Sequence, residues 1–528
     1  NEGGHNLGDL YVDDGNSLNW NANAALYYTR SFNKHNLNLS VAWEASSGSS
    51  DATNVHYRGF PSGQFHSSNY AAEIYEKPSR TEGTSRMVSA WATGNYTWND
   101  IYLADFSVRF DGSSDFGSKQ RWAPFFSGGL GVNIHNYEFL KGNEIVNKLK
   151  VRASYGRTGK ASFPAYAATT MYEALFDEWY ATGFGAVLKA LGNNNLTWEK
   201  TDKFNVGIEM QFLNRRLTVD ADYYHDKTID LVNDVSLSQT SGFSSYKDNM
   251  GEVLNQGFEL QVRGEVFRNR DWLVALWGNM AHNKNKILKI SDSQRAYNQR
   301  VKEFYENIVN EEYGRYNSKY GVPISQYEEG QSLTSIWAVK SLGIDPTTGK
   351  EIFLNRDGSV SDTWNATQEV AVGNTEPKFN GSIGFNAAYK QWSLFAAFQY
   401  EWGGQEYNQT LVDRVENARI QYQNVDLRVL TDRWKQPGDI AQFKDIKNAD
   451  SATMPTSRFV QDKAYLRLSA LTLSYDFNRE WIKKYLGMNM LRLEASTRDF
   501  INWNSIRQER GLSYPKSWTV DFSIKAQF

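Results

Sequence analysis

The chain has no cysteine, so disulfide scaffolds and thiolate metal centres are excluded. Proline is scarce, 10 in 528 residues, and little therefore interrupts extended backbone. No apolar run approaches the length of a membrane-spanning helix, and the mean hydropathy is -0.60. That absence leaves a second route across a bilayer open, because barrel strands alternate lipid-facing with water-facing residues and average out as polar. Charge of one sign is missing too: 57 Lys and Arg stand against 60 Asp and Glu. Nothing in that balance marks nucleic acid as a partner. The histidines at 5, 35, 56, 66, 135, 225 and 282 never fall at i, i+2 or i, i+4, so no metal site and no cofactor is expected. There is no G-x-S-x-G elbow and no H-E-x-x-H, and no enzymatic activity is expected.

Aromatic residues, by contrast, make up 14% of the chain, which suits interfacial girdles and ring-lined binding surfaces. The final stretch sets the pattern. Trp518, Val520, Phe522, Ile524, Ala526 and Phe528 are apolar, and the residues between them, Thr519, Asp521, Ser523, Lys525 and Gln527, are polar. A period of two held to an aromatic terminus looks like the closing strand of a bacterial outer-membrane barrel. The same alternation recurs upstream, as in Tyr102, Ala104, Phe106, Val108 and Phe110, or in Leu217, Val219, Ala221 and Tyr223 against Thr218, Asp220, Asp222 and Tyr224.

Residues 1–17 read as loop, followed by paired strands joined by short turns such as Trp98-Asn99-Asp100. Long inserts separate the pairs at 48–83, 160–196, 287–376 and 404–460, the last with a helix expected near 409–434. A slip of phase at Ala470-Leu471 predicts a bulge. The fold class is all-β: a transmembrane antiparallel β-barrel of about 15 strands with long extracellular loops. First and last strands both run inward, which an even-stranded barrel does not allow. Residues 1–528 are therefore expected to form the C-terminal portion of a 22-stranded plugged barrel, with the plug and roughly seven strands outside the chain.

Several segments resemble the SusC/RagA branch of TonB-dependent outer-membrane transporters. Phe110 to Gly117 is similar to the family's DGSS-x-FG hairpin, and Leu149 to Gly159, LKVRASYGRTG, to its LRASYG-x-TG strand. Leu196 to Leu231 has the WEK-T…N-x-G start and the YY-x-K-T-x-D-L finish. Asn255 to Glu259 and Tyr465 to Phe477 fit as well. The likeness runs from about residue 84 to the end, and the family's N-terminal half has no counterpart in it. It implies energised import of a nutrient, oligosaccharides or, alternatively, oligopeptides. The partners it implies are a SusD-like surface lipoprotein as lid, the N-terminal plug-bearing portion, TonB acting through that portion, and outer-membrane lipids. A passive porin and a soluble secreted glycan-binding β protein are the rival readings.

Candidate substrate-binding residues are aromatics and acids of the long loops: Tyr172, Asp177, Trp179, Tyr180, Tyr316, Trp337 and Trp364. Rings beside carboxylates suit sugars, whose C–H faces stack while hydroxyls need acceptors. The alternative is that these rings pack the loops together or touch the lid. Asp111 and Asp115 have loop spacing suited to calcium, although a Gly/Ser hairpin turn accounts for the same letters.

Overall fold

The computed structural model describes residues 8–528 except 66, 117–119, 161–167, 182, 194, 237–244, 250, 311–320, 419, 421–424, 449–452, 478 and 507–518. Two-residue alternation with few prolines yields one large antiparallel sheet of 17 strands. Two of these, Glu73–Ile74 and Asn502–Asn504, are short additions. The wall begins with β1 (Gly8–Phe32), β2 (His35–Phe60), β3 (Ser79–Trp98), β4 (Tyr102–Ser113), β5 (Trp122–Asn133), β6 (Val146–Lys160), β7 (Glu199–Phe212) and β8 (Leu217–Ile229). It continues as β9 (Glu252–Arg268), β10 (Trp272–Lys289), β11 (Phe379–Tyr389), β12 (Trp392–Tyr407), β13 (Val460–Asp476), β14 (Met490–Arg498) and β15 (Thr519–Gln527). Each strand pairs with the next in sequence, and among the described residues β1 and β15 each have one neighbour, so the sheet is an open arc.

One end of the arc carries the tight turns. Asn33, Asn99 and Asp100 sit at φ of 51°, 54° and 57°, a left-handed region that Asn and Asp tolerate and that matches strand twist in short hairpins. The β7–β8 turn puts Leu213, Asn214 and Arg215 there together. The neighbouring connection holds them: Leu213 N donates to Ile145 O at 2.8 Å and Arg215 N to the Asn147 Oδ1 at 2.8 Å.

Cross-strand register assigns the faces, because paired residues point the same way. Asp220 pairs with Glu209 and Gln261, and the row continues through Asn279, Ser382, Gln399 and Arg467. The adjacent residue, Val219, pairs with Met210 and Val262 on the opposite, apolar face. Phe106 (51% exposed) and Phe522 (82%) belong to that apolar face. None of the three rows closes into an interior core. Near the tight turns the apolar face carries rings side by side: Trp272 beside Tyr389 at 4.4 Å, Trp392 beside Tyr475 at 4.8 Å and Trp98 beside Tyr102 at 5.3 Å. Such a band is an interfacial girdle.

Several boundaries differ from the sequence reading. Residues 8–17 and most of 48–83 are strand, with Gly8–Phe32 paired along Phe60–His35 and Asn54–Gly48 along Ser79–Ser85. A strand of 25 residues far exceeds the about 9–11 needed to cross a bilayer. Beyond the lipid no apolar phase is required, so Ser, Asn, Asp and Gly form a paired strand that reads as loop. The insert at 160–196 contains a hairpin, Met171–Tyr180 with Gly183–Ala190. The insert at 287–376 contains α1 (Asp292–Asn310) and small strands. Among the described residues of the expected helix at 409–434, a turn, Gln409–Leu411, runs into a π-turn, Val412–Glu416, and a 3-10 turn follows at Leu427–Val429. Of the four residues that helical spacing sets on one face, Leu411, Val415 and Ala418 are buried and Tyr422 lies outside the described residues, but Asn417 leaves helical geometry at φ -97°, ψ 50°. The bulge near Ala470 falls at Ser469, whose hydroxyl donates to Ala397 O at 2.9 Å.

The two faces give a direct test. Phe106→Arg places a charge against hydrocarbon and is expected to cost on the order of 2–4 kcal/mol near the midplane. Ser107→Arg, one residue on and facing the other way, is expected to cost under about 1 kcal/mol. Denaturant titration of the full-length protein refolded in lipid vesicles measures both, and equal costs would sink the assignment of faces.

Candidate functional site: the charged wall and the loop body

On the polar face, alternation sets charges of opposite sign on neighbouring strands. Glu209 of β7 meets Lys150 of β6 at 3.1 Å and Arg152 at 3.4 Å. Arg152 reaches Asp222 of β8 at 2.6 Å. Further round, Lys463 lies 3.5 Å from both Glu401 and Glu406, and Arg492 holds Asp476 in a fork. Between these pairs a cavity of about 540 Å³ is lined by Asp220, Asp222, Glu259, Asn279, Gln399 and Glu401. Such a wall can bind a hydroxylated or amide-bearing solute or an apposed polar domain, but not an apolar one.

At the long-loop end, two inserts far apart in sequence fold as one body. One core joins Val301, Tyr305, Val339, Phe353, Trp364 and Ala366 of the first to Met454 of the second. A second core gathers Leu411, Val412, Val415, Val429, Phe443 and Phe459. The link between inserts is ionic. Arg458 donates to Glu351 at 2.9 and 3.2 Å and to Glu416 at 2.6 and 3.2 Å, with side-chain exposures of 11%, 11% and 0% respectively. Burial alone would lower the Arg458 pKa, but the charges of Glu416 and Glu351 outweigh it and the net shift is upward. Backbone contacts reinforce the junction: Val339 N donates to Pro455 O at 3.2 Å, and Trp434 Nε1 to Pro346 O at 2.9 Å.

The candidate residues fall into three groups. Tyr172 stands 70% exposed on the 171–190 hairpin. Asp177, Trp179 and Tyr180 lie on the same strand, with side chains outside those the structure describes, and Tyr316 lies outside the described residues. Trp337 (1% exposed) and Trp364 (8%) are packed inside the loop body; Trp364 Nε1 donates to Pro455 O at 2.9 Å. Trp364 also borders a recess of about 360 Å³ shared with Glu306, Asn355, Ser361, Thr363 and Gln368. Asp111 accepts from Arg109 at 2.6 Å and Asp115 from Ser85 at 2.7 Å, so both carboxylates have protein partners. The sequence reading did not single out Arg458, Glu351 or Glu416. Their only signal was charge within loops, which usually marks solvent.

Three of the motifs that carried the family resemblance meet. Phe116 of the DGSS-x-FG segment stacks on Trp198 of the WEK segment, ring centroids 4.2 Å apart, and Phe125 packs edge-on at 5.5 Å. Gly159, ending the LKVRASYGRTG strand, lies against the Phe125 ring, where a Cβ would overlap it.

An antiparallel wall apolar on one face and charged on the other, with its bulk at one rim, defines the outer-membrane β-barrel class. The family profile described as "TonB dependent receptor-like, beta-barrel" matches residues 2–496, and the chain belongs to that family. It is similar to TonB-dependent receptor P3 of Formosa agariphila, 26% identical over 504 residues that cover 94% of this chain and 49% of that protein. It is also similar to SusC of Bacteroides thetaiotaomicron, 30% identical over 305 residues covering 53% of this chain and 29% of SusC. Among solved structures, the RagAB peptide importer in its closed-closed state superposes with a TM-score of 0.82 at 23% identity, over 99% of this chain and 57% of that one. The chain spans about half the length of the curated relatives it matches.

Arg458→Met removes the cation hydrogen-bonded to the Glu416 carboxylate and is expected to destabilise the loop body by on the order of 3–5 kcal/mol, seen as faster proteolysis within 408–459 in the full-length protein. Adding Glu416→Leu should restore most of the resistance; no recovery would show that the pair is not the link. A second test uses Glu369, which is 0% exposed. Burial raises its carboxyl to about 8 from 4.5, against the pull of Gln326, Lys302 and Arg356. The folded form therefore holds the proton more tightly than the unfolded form. The resulting stability is full below about 4.5 and is lost as pH rises through about 8. Proteolytic resistance of the loop body should fall across that window, and Glu369→Gln should flatten the dependence.

Proposed function

We propose that this chain forms the barrel wall and substrate-receiving loop body of a SusC-like, TonB-dependent importer of oligosaccharides. Import takes place with a SusD-like lipoprotein closing the long-loop mouth. The plug-bearing portion of the same transporter fills the charged side and passes the pull of TonB to it. The free edges of β1 and β15 support this reading, since unpaired strand edges are not tolerated in hydrocarbon and call for roughly seven further strands to close a barrel of 22. The observation that carries the substrate class is the recess beside Trp364. An indole with amides, hydroxyls and a carboxylate around one recess matches a solute that is apolar on one side and hydroxylated on the other, as a sugar is. Tyr172, with Asp177, Trp179 and Tyr180 on its strand, extends the surface on the other loop, and Tyr316 is proposed as a further contact. Oligopeptide import is the second reading, favoured by the carboxylates Asp220, Glu259 and Glu401 on the wall, which suit ammonium and amide donors.

Calorimetry of the full transporter with its lid, against oligosaccharides of differing linkage and mixed peptides, tests the assignment. Oligosaccharide binding is expected to weaken about tenfold in Tyr172→Ala and in Glu306→Gln, the loss of one ring or one charged hydrogen bond. Binding of peptides alone would overturn the sugar assignment. A permanently open conductance in planar bilayers, without TonB, would overturn the importer reading itself.

A further inference from the structure

At the tight-turn rim, the connection between β13 and β14 departs from its neighbours. Instead of a few residues it contains α2 (Arg479–Leu486). Helical spacing puts Trp481, Tyr485, Ile482 and Leu486 on one arc and Glu480, Lys483 and Lys484 on the other. Only Ile482 of the apolar arc is buried, at 1% exposure. Trp481, Tyr485 and Leu486 remain 48%, 63% and 44% exposed. An amphipathic helix that leaves most of its apolar arc uncovered needs an occupant for it.

Ring contacts indicate which occupant. Trp392 and Tyr475 belong to the girdle on the apolar face. From Tyr475 the rings continue without a gap: to Phe477 at 5.0 Å, from Phe477 to Trp481 at 6.1 Å, and from Trp481 to Tyr485 at 5.8 Å. The exposed face of α2 is thus an extension of the surface the barrel presents to the membrane, at the depth where Trp and Tyr prefer the headgroups. Lys483 and Lys484 are exposed in its last turn, and a lysine beside such rings can bury its stem and present its ammonium to phosphate.

We infer that α2 is an interfacial anchor. Its ring face inserts among the phospholipid headgroups at the tight-turn rim, and Lys483 and Lys484 hold the phosphates of anionic lipid. This rests on the barrel reading above, in which the apolar face meets the bilayer. Single spin labels go at Tyr485→Cys, Phe106→Cys and Leu427→Cys in the full-length protein, with any cysteine outside these 528 cysteine-free residues replaced by serine. Each labelled transporter goes into nanodiscs of phosphatidylethanolamine with and without phosphatidylglycerol, with no protein partner added. The label at 485 should collide with oxygen several-fold more, relative to a water-soluble nickel chelate, than the label at 427 on the loop body. A 485 label as water-accessible as 427, with 106 still in lipid, overturns the anchor and leaves a periplasmic protein as occupant. A water-accessible 106 overturns the barrel reading and the anchor with it. Lys483→Gln and Lys484→Gln should each lower the retention of phosphatidylglycerol over phosphatidylethanolamine about fivefold, equivalent to about 1 kcal/mol per lysine. An unchanged ratio overturns the headgroup contact.

Discussion

A chain in hydrocarbon has no water to satisfy its peptide groups, and each strand must therefore be bonded along its length by its neighbours. That constraint underlies the whole molecule. It explains the sequential antiparallel pairing from β1 to β15, and it separates backbone from side chains. Once the ladder has taken up the N–H and C=O groups, the two faces are free to differ. The apolar face holds Phe106, Val219 and Phe522; the other holds Glu209, Asp220, Arg152 and Lys150. Ion pairs on the charged face are partly exposed to solvent, so each adds little stability alone. They keep the wall wettable while limiting its net charge.

This architecture was readable in the letters because a period of two is a direct imprint of the two solvents. Asn99-Asp100 marked a hairpin because few other residues take left-handed backbone cheaply. Legibility ended where that imprint ends. From Gly8 to Ser17, and from Gly48 to Phe60, no lipid demands an apolar phase, and paired strand could not be told from loop. The stretch after Asn408 had helical spacing that was real for Leu411, Val415 and Ala418, yet the backbone leaves helical geometry at Asn417.

The candidate binding surface was less legible than the wall. An aromatic in a long insert serves as core or as contact, and composition does not separate the two. Trp337 went inside, Trp364 lies at a boundary and Tyr172 stands in solvent. The partners that decide this lie far away in sequence: Trp364 is set by Pro455, and Arg458 by Glu351, 107 positions earlier. Local patterns carry no record of such meetings. The meeting of Phe116, Trp198, Phe125 and Gly159 is similar, since each segment is recognisable alone while their shared cluster emerges only in three dimensions.

Arg458 joins two inserts separated by the whole β11–β12 hairpin. Outer loops of barrels are commonly regarded as independent, free to be exchanged one at a time while the wall stays fixed. Here a lone graft of either insert would bring a foreign surface against Glu416 or Glu351 and leave half a core without its complement. New specificity on this wall would then be inherited in blocks, with both inserts travelling together and the hairpin between them as a passive passenger.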